Sequence, residues 1–197
     1  MFARLTRYWV YGGTLAGLLL VALLPALMQT WTAVLTAVFL QLPIYMLHQF
    51  EEHDNDRFRL YVNEHLGGGR EVLSPLAVFI INVPGVWGVN AAAFLAAYWL
   101  HVGYGLIAVY LTLVNAAAHL VAAIVSRAYN PGVATSVILF LPAGIYGWLQ
   151  FRHVENVGTG DHALGLAVAI FIHVAIVAHV QIMKRRLKKS VRSHVTG

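Results

Sequence analysis

Residues 40–53 read Leu40-Gln41-Leu42-Pro43-Ile44-Tyr45-Met46-Leu47-His48-Gln49-Phe50-Glu51-Glu52-His53. An apolar run ends here in a histidine and two carboxylates. In a helix, positions three and four apart share a face, so His48, Glu51 and Glu52 are expected to point the same way. A membrane-spanning helix that carries such a group marks a functional position, because ionisable side chains at membrane depth are costly. Gln41, Tyr45 and Asn55 extend the stripe, whereas His53 falls off it and is expected to meet water. Pro43 removes one helix hydrogen bond just before the stripe turns acidic.

The rest of the chain agrees with a membrane setting. Hydrophobic residues make up 59% of the 197 and charged residues 11%, against about a quarter charged in soluble domains. The absence of cysteine excludes disulfides, thiolate catalysis and cysteine metal sites. The net charge of +5 does not point to nucleic acid. Much of it lies in Lys184-Arg185-Arg186-Leu187-Lys188-Lys189-Ser190-Val191-Arg192, behind an apolar helix, where it acts as a membrane anchor.

Six spans are expected, near 9–28, 31–47, 75–99, 104–125, 131–151 and 163–183, each about the 20 residues a bilayer needs. They form one all-helical transmembrane domain over 1–183, followed by a basic cytosolic tail over 184–197. The first span is read as a retained helix rather than a cleaved signal. Of the thirteen Lys and Arg, only Arg152 then falls on the side opposite the termini. The positive-inside rule puts both termini in the cytoplasm. Trp31, Trp99 and Trp148 are expected at the outer interface and Trp9 at the inner one. Between the second and third spans, Phe58, Tyr61, Val62, His65 and Leu66 follow a helical apolar period that Gly67-Gly68-Gly69 ends. This is a short interfacial helix, read as a surface helix in preference to a lid. Ser74-Pro75 reads as the N-cap and first residue of the third span.

The fourth span carries a second polar stripe, Thr112, Asn115, His119 and Ser126. The topology puts His119 at the depth of His48. Asn130-Pro131 reads as the start of the fifth span, Gly132 as a point of close approach, and Tyr129 as a side chain within reach of the cluster. In the sixth span, His179 is better placed in depth than His173.

His48-Gln49-Phe50-Glu51-Glu52, the later His119 and Tyr129-Asn130-Pro131-Gly132 together resemble the hallmarks of HXXEE-domain membrane proteins: an H-x-x-E-E motif, a second histidine and a Y-x-P-G motif. The resemblance implies that His48, Glu51, Glu52, His119, Tyr129, Pro131 and Gly132 act as a unit. It implies no activity.

Imidazole nitrogen and carboxylate oxygen suit a divalent Zn, Fe or Mn ion. The metal reading makes His48, Glu51, Glu52 and His119 ligands, with a glutamate left over as general base and Tyr129 as a hydrogen-bond donor. Asn115, Pro131, Gly132 and His179 support the site. The expected activity is that of a metal-dependent, hydrolase-like enzyme acting at the inner interface on a lipid, isoprenoid or other apolar substrate. Three other readings stay open: a metal-free acid–base isomerase built on Glu51 and Glu52, an ion or proton pathway or sensor, and an ion-pair network closed by Arg57 or Arg127. The sequence does not fix the oligomeric state.

Overall fold

The computed structural model describes residues 2–195, with side chains through Lys188. It is an all-helical bundle with no strand among the described residues. We number the helices α1 (Phe2–Leu27), α2 (Ala33–His53), α3 (Arg57–His65), α4 (Pro75–Trp99), α5 (Leu106–Ser126), α6 (Val133–His153) and α7 (Thr159–Val195). Among the described residues, six helices are long and apolar enough to cross a membrane. Of the basic tail, the backbone to Val195 continues α7. The side chains from Lys189 onward lie outside the described residues.

α2 is the central helix. Half of its most apolar window is buried, against 17% for α1 and for α7, and it packs on α1, α4, α5 and α6. α1 comes very close: a Cβ on Gly17 would lie 2.9 Å from the Met46 Cβ and 3.1 Å from the Pro43 carbonyl oxygen. Small residues at such crossings let membrane helices meet backbone to backbone.

Two helices are locally widened. α4 takes a π turn over Ile81–Trp87, which contains Pro84, and α6 takes one over Ser136–Phe140, just before Pro142. A proline lacks the amide hydrogen and crowds the carbonyl four residues back, so the helix relaxes around it. Both turns face α2. Their residues Asn82 and Phe140 reach the polar end of α2, where the Phe140 ring lies 3.9 Å from that of His48.

Apolar packing holds that end from two sides. Tyr45, Val86, Leu111, Ala116 and Phe140 form a buried floor. Trp9, Val62, Val72, Leu73, Val78 and Val180 form a second cluster beneath α3. α3 is the short helix expected between the second and third spans, and the 66–74 connection is tied to it through Asn63. The Asn63 Oδ1 accepts from the Val72 and Leu73 amides at 3.0 and 2.9 Å. As expected, Ser74 caps α4: its Oγ accepts from the Ala77 amide at 3.2 Å.

Several expectations need correction. Trp9 is buried within the bundle rather than open to its surroundings. It is 9% exposed and packed against His53 and Trp87, with ring centroids 5.1 and 5.6 Å away. α6 begins at Val133 rather than Pro131. Asn55 falls beyond the end of α2, with φ of 53°, and so leaves the stripe. α3 is more than a surface helix, since Phe58, Tyr61, Val62 and Leu66 line a cavity over the polar cluster.

Candidate functional site

The C-terminal turn of α2 sends its two carboxylates different ways. Glu52 points inward with His48, one helical turn before it. Its Oε2 lies 3.4 Å from the His48 Nε2, and its Oε1 lies 3.0 Å from the His119 Nε2 on α5. His48 is fully buried, Glu52 is 5% exposed and His119 is 7% exposed. The second and fourth spans therefore meet at one depth, as their stripes require. Stranding an ionised carboxylate at such burial costs several kcal/mol unless positive charge or hydrogen bonds answer it.

Glu51 points instead at the start of α6. Its Oε1 accepts from the Tyr129 hydroxyl at 2.7 Å and the Ala134 amide at 3.2 Å. Its Oε2 accepts from the Thr135 amide at 2.7 Å and the Thr135 hydroxyl at 2.5 Å. Four donors fill the four lone-pair sites of a carboxylate, and negative charge at a helix N-terminus is favourable. Glu51 is the cap that α6 takes from another helix, and it lies outside the group formed by His48, Glu52 and His119. Partial burial and the Glu51 carboxylate push the Tyr129 phenol up to about 12, against the pull of Arg57, so Tyr129 keeps the proton it donates.

The same arrangement fixes how His48 presents itself. Because the Thr135 hydroxyl donates to Glu51, its oxygen accepts, and the His48 Nδ1 at 2.7 Å is the donor. Nδ1 then carries a proton, and Nε2 is the ring atom turned to the interior. That Nε2 is buried without a hydrogen-bond partner. His119 is fixed alike. The Asn130 amide nitrogen donates to the His119 carbonyl at 3.0 Å, so its oxygen accepts from the His119 Nδ1 at 2.8 Å. Two Nε2 atoms thus converge on one carboxylate, an arrangement that a cation or shared protons among them would answer.

A metal ion fits this donor set. One donor atom from each of His48, Glu52 and His119 lies within 4.8 Å of the others. Donors about 2.0–2.2 Å from a tetrahedral ion lie roughly 3.4 Å apart, and the contacts to Glu52 of 3.0 and 3.4 Å straddle that spacing. The group could hold a metal. Partners on the outer ring nitrogens, here Thr135 and Asn130, are the usual complement of histidine ligands.

Gly132 makes room for this arrangement. Its φ is 103°, and a Cβ there would come 2.5 Å from the His119 Cε1 and 2.9 Å from the Glu52 Cγ. Glycine is required on both counts. Pro131 lies in the turn that delivers Asn130 and Gly132. Asn115 lines the cavity beside His119, with its Oδ1 buried and unpartnered.

Two histidines are placed differently from expectation. His53 is not in water: it is 6% exposed, with Nε2 3.5 Å from the Glu52 Oε2. The far side of α2, taken for solvent, is covered by Trp9 and Trp87. In α7, His173 lines the cavity, whereas His179 is exposed on an outer groove and does not reach the cluster. The arginines also lie elsewhere. Arg57 pairs with Asp54 at 2.9 Å, and among the described residues neither Arg57 nor Arg127 pairs with Glu51 or Glu52. Thr135 was invisible to sequence reasoning. Asn130 was seen, but as a helix cap rather than a partner of His119.

Residues 39–147 match the model of a family described as proteins of unknown function with an HXXEE motif. The chain belongs to this HXXEE family. The match begins within α2 and ends within α6, so it takes in the H-x-x-E-E turn, His119 and Tyr129-Asn130-Pro131-Gly132. No curated protein and no solved structure matched.

Proposed function

We propose that this HXXEE protein is a membrane-embedded, metal-dependent enzyme, hydrolase-like, acting on a lipid or other apolar substrate at the inner membrane interface. One observation carries the reading: two histidines whose Nδ1 atoms are held by Thr135 and Asn130 aim both Nε2 atoms at a buried glutamate. His48, Glu52 and His119 would hold a Zn, Fe or Mn ion. When bound, such an ion supplies Lewis acidity toward a polar group of the substrate.

The residues of the chain do the rest. Glu51 and Tyr129 are positioning residues. They hold Thr135, which holds the His48 ring. Asn130 does the same for His119. The apolar wall formed by α3, α4 and α7 excludes water and receives the substrate. His53 and His173 line the same cavity and stand where a proton could be taken up or released. The 184–197 tail and both termini lie in the cytoplasm, on the strength of the basic residues on that side. A cysteine at Thr159, which is exposed, is then labelled from outside intact cells by an impermeant maleimide. Labelling only after permeabilisation would reverse the orientation.

Elemental analysis of the purified protein tests the metal. The wild type is expected to carry one divalent ion per chain and Glu52→Gln to carry none. A metal-free wild type would favour the second reading, in which a proton is shared between Glu52 and His119; their 3.0 Å separation suits a hydrogen bond. A pathway across the membrane has less support. Val38, Leu106, Val109 and Leu111 are fully buried beyond the cluster, and Gln41 and Thr112 there direct hydrogen bonds to backbone carbonyls.

A further inference from the structure

The cavity beside the cluster has a volume of about 280 Å³ and is lined mainly by apolar side chains. Glu52, His119 and His173 form part of its polar side. Two of its residues, Ile81 on α4 and Ile176 on α7, also line a second hollow of about 450 Å³ on the outer face of the bundle. A wall one side chain thick therefore separates the candidate site from that outer groove.

The groove has the character of a lipid contact. It runs between α4 and α7, which cross in opposite directions, from Ser74 and His179 at the water-facing end to Gly85 and Phe171 deeper in. Ile80 and Phe171 along it are 51% and 72% exposed, which for a spanning helix means exposed to hydrocarbon. The wall is also weak. Ile81 opens the π turn of α4, where Pro84 contributes no amide hydrogen and the regular hydrogen bonding is broken. Gly85 lines the groove without a side chain.

We infer that a hydrocarbon chain of a membrane lipid enters the candidate site sideways between α4 and α7, with Ile81 and Ile176 as its gate. This rests on the proposed enzymatic reading and narrows its substrate. The polar groove residues lie at the interface, so a lipid standing there keeps its headgroup in water while its chain faces the gate. The substrate class is an amphiphile whose reacting group, such as an ester or amide, is borne on or beside a hydrocarbon chain. A freely soluble metabolite does not fit.

The test uses the full-length protein in phosphatidylcholine vesicles doped with a phosphatidylcholine that carries a diazirine in one chain. After illumination, adducts are mapped by mass spectrometry. Wild type is expected to show adducts on the buried cavity residues Val62, Val78 or Val86, and on Phe171 outside. The double variant Ile81→Trp/Ile176→Trp keeps the Phe171 adducts and loses those in the cavity. Should that variant not fold, Ile176→Cys alkylated after purification with a bulky maleimide gives the same block, since the chain has no other cysteine. Cavity adducts that are absent from wild type, or that survive the block, overturn the inference. Metal content separates this result from the site itself. The blocked protein retains its metal, whereas His48→Ala loses metal and still shows cavity adducts.

Discussion

The molecule contains two pairs of histidine and carboxylate at the same separation, near opposite ends of the bundle. His119 and Glu52 lie 3.0 Å apart, and so do His101 and Asp161. The second pair is an ordinary surface contact. Its side chains are 37% and 22% exposed, and Asp161 also accepts from the Gly158 amide at 2.9 Å, as a cap at the start of α7. Among the described residues no second imidazole converges on it. The first pair is buried, has a second imidazole aimed at the same carboxylate, and has each ring fixed by a partner on its outer nitrogen. The distance is common to both; burial, convergence and rings held by their outer nitrogens set the first pair apart from a surface contact.

A smaller version of the contrast lies within one turn of α2. Glu51 and Glu52 are neighbours, yet one is saturated by α6 and the other faces two imidazole Nε2 atoms. The motif therefore divides its work. Glu52 would meet the metal, and Glu51 would hold the element that orients His48.

Variants can break or sharpen this comparison. Thr135→Val removes the hydroxyl between His48 and Glu51 but keeps the shape of the side chain. Loss of such a partner typically lowers metal affinity about 10–100-fold. That range is the expectation here, read by competition with a chromogenic chelator, with the helical circular dichroism unchanged. An affinity equal to wild type would mean that the ring is held by packing on Phe140 alone. At the other end, His101→Ala is expected to leave metal content untouched and to change thermal stability by at most about 1 kcal/mol, as exposed ion pairs do. Loss of metal in that variant would make the two pairs parts of one system and remove the distinction drawn between them.

Much of this architecture was legible in the sequence, for physical reasons. Apolar runs of bilayer length have few alternatives to helices, and six of them fixed the class. The i, i+4 spacing paired His48 with Glu52, and topology alone brought His119 to their depth. The split between Glu51 and Glu52 was less accessible. Adjacent residues differ by about 100° around a helix, and which one turns inward depends on where α6 docks. His53 was assigned to water because periodicity names a far face but not what covers it; Trp9 and Trp87 do. Asn130 has a side chain suited to capping, and its recruitment by His119 follows from the turn that Pro131 and Gly132 allow. Thr135 lies 87 residues from its partner, at a spacing no local pattern reports.

X-ray absorption at the edge of the bound metal, for wild type beside Glu51→Gln, tests the central claim most directly. The account predicts a shell of nitrogen and oxygen donors with the scattering of two imidazoles, present in both proteins, because Glu51 stands outside the group. A wild type without imidazole scattering, or a Glu51→Gln protein that has lost a donor from that shell, would contradict it.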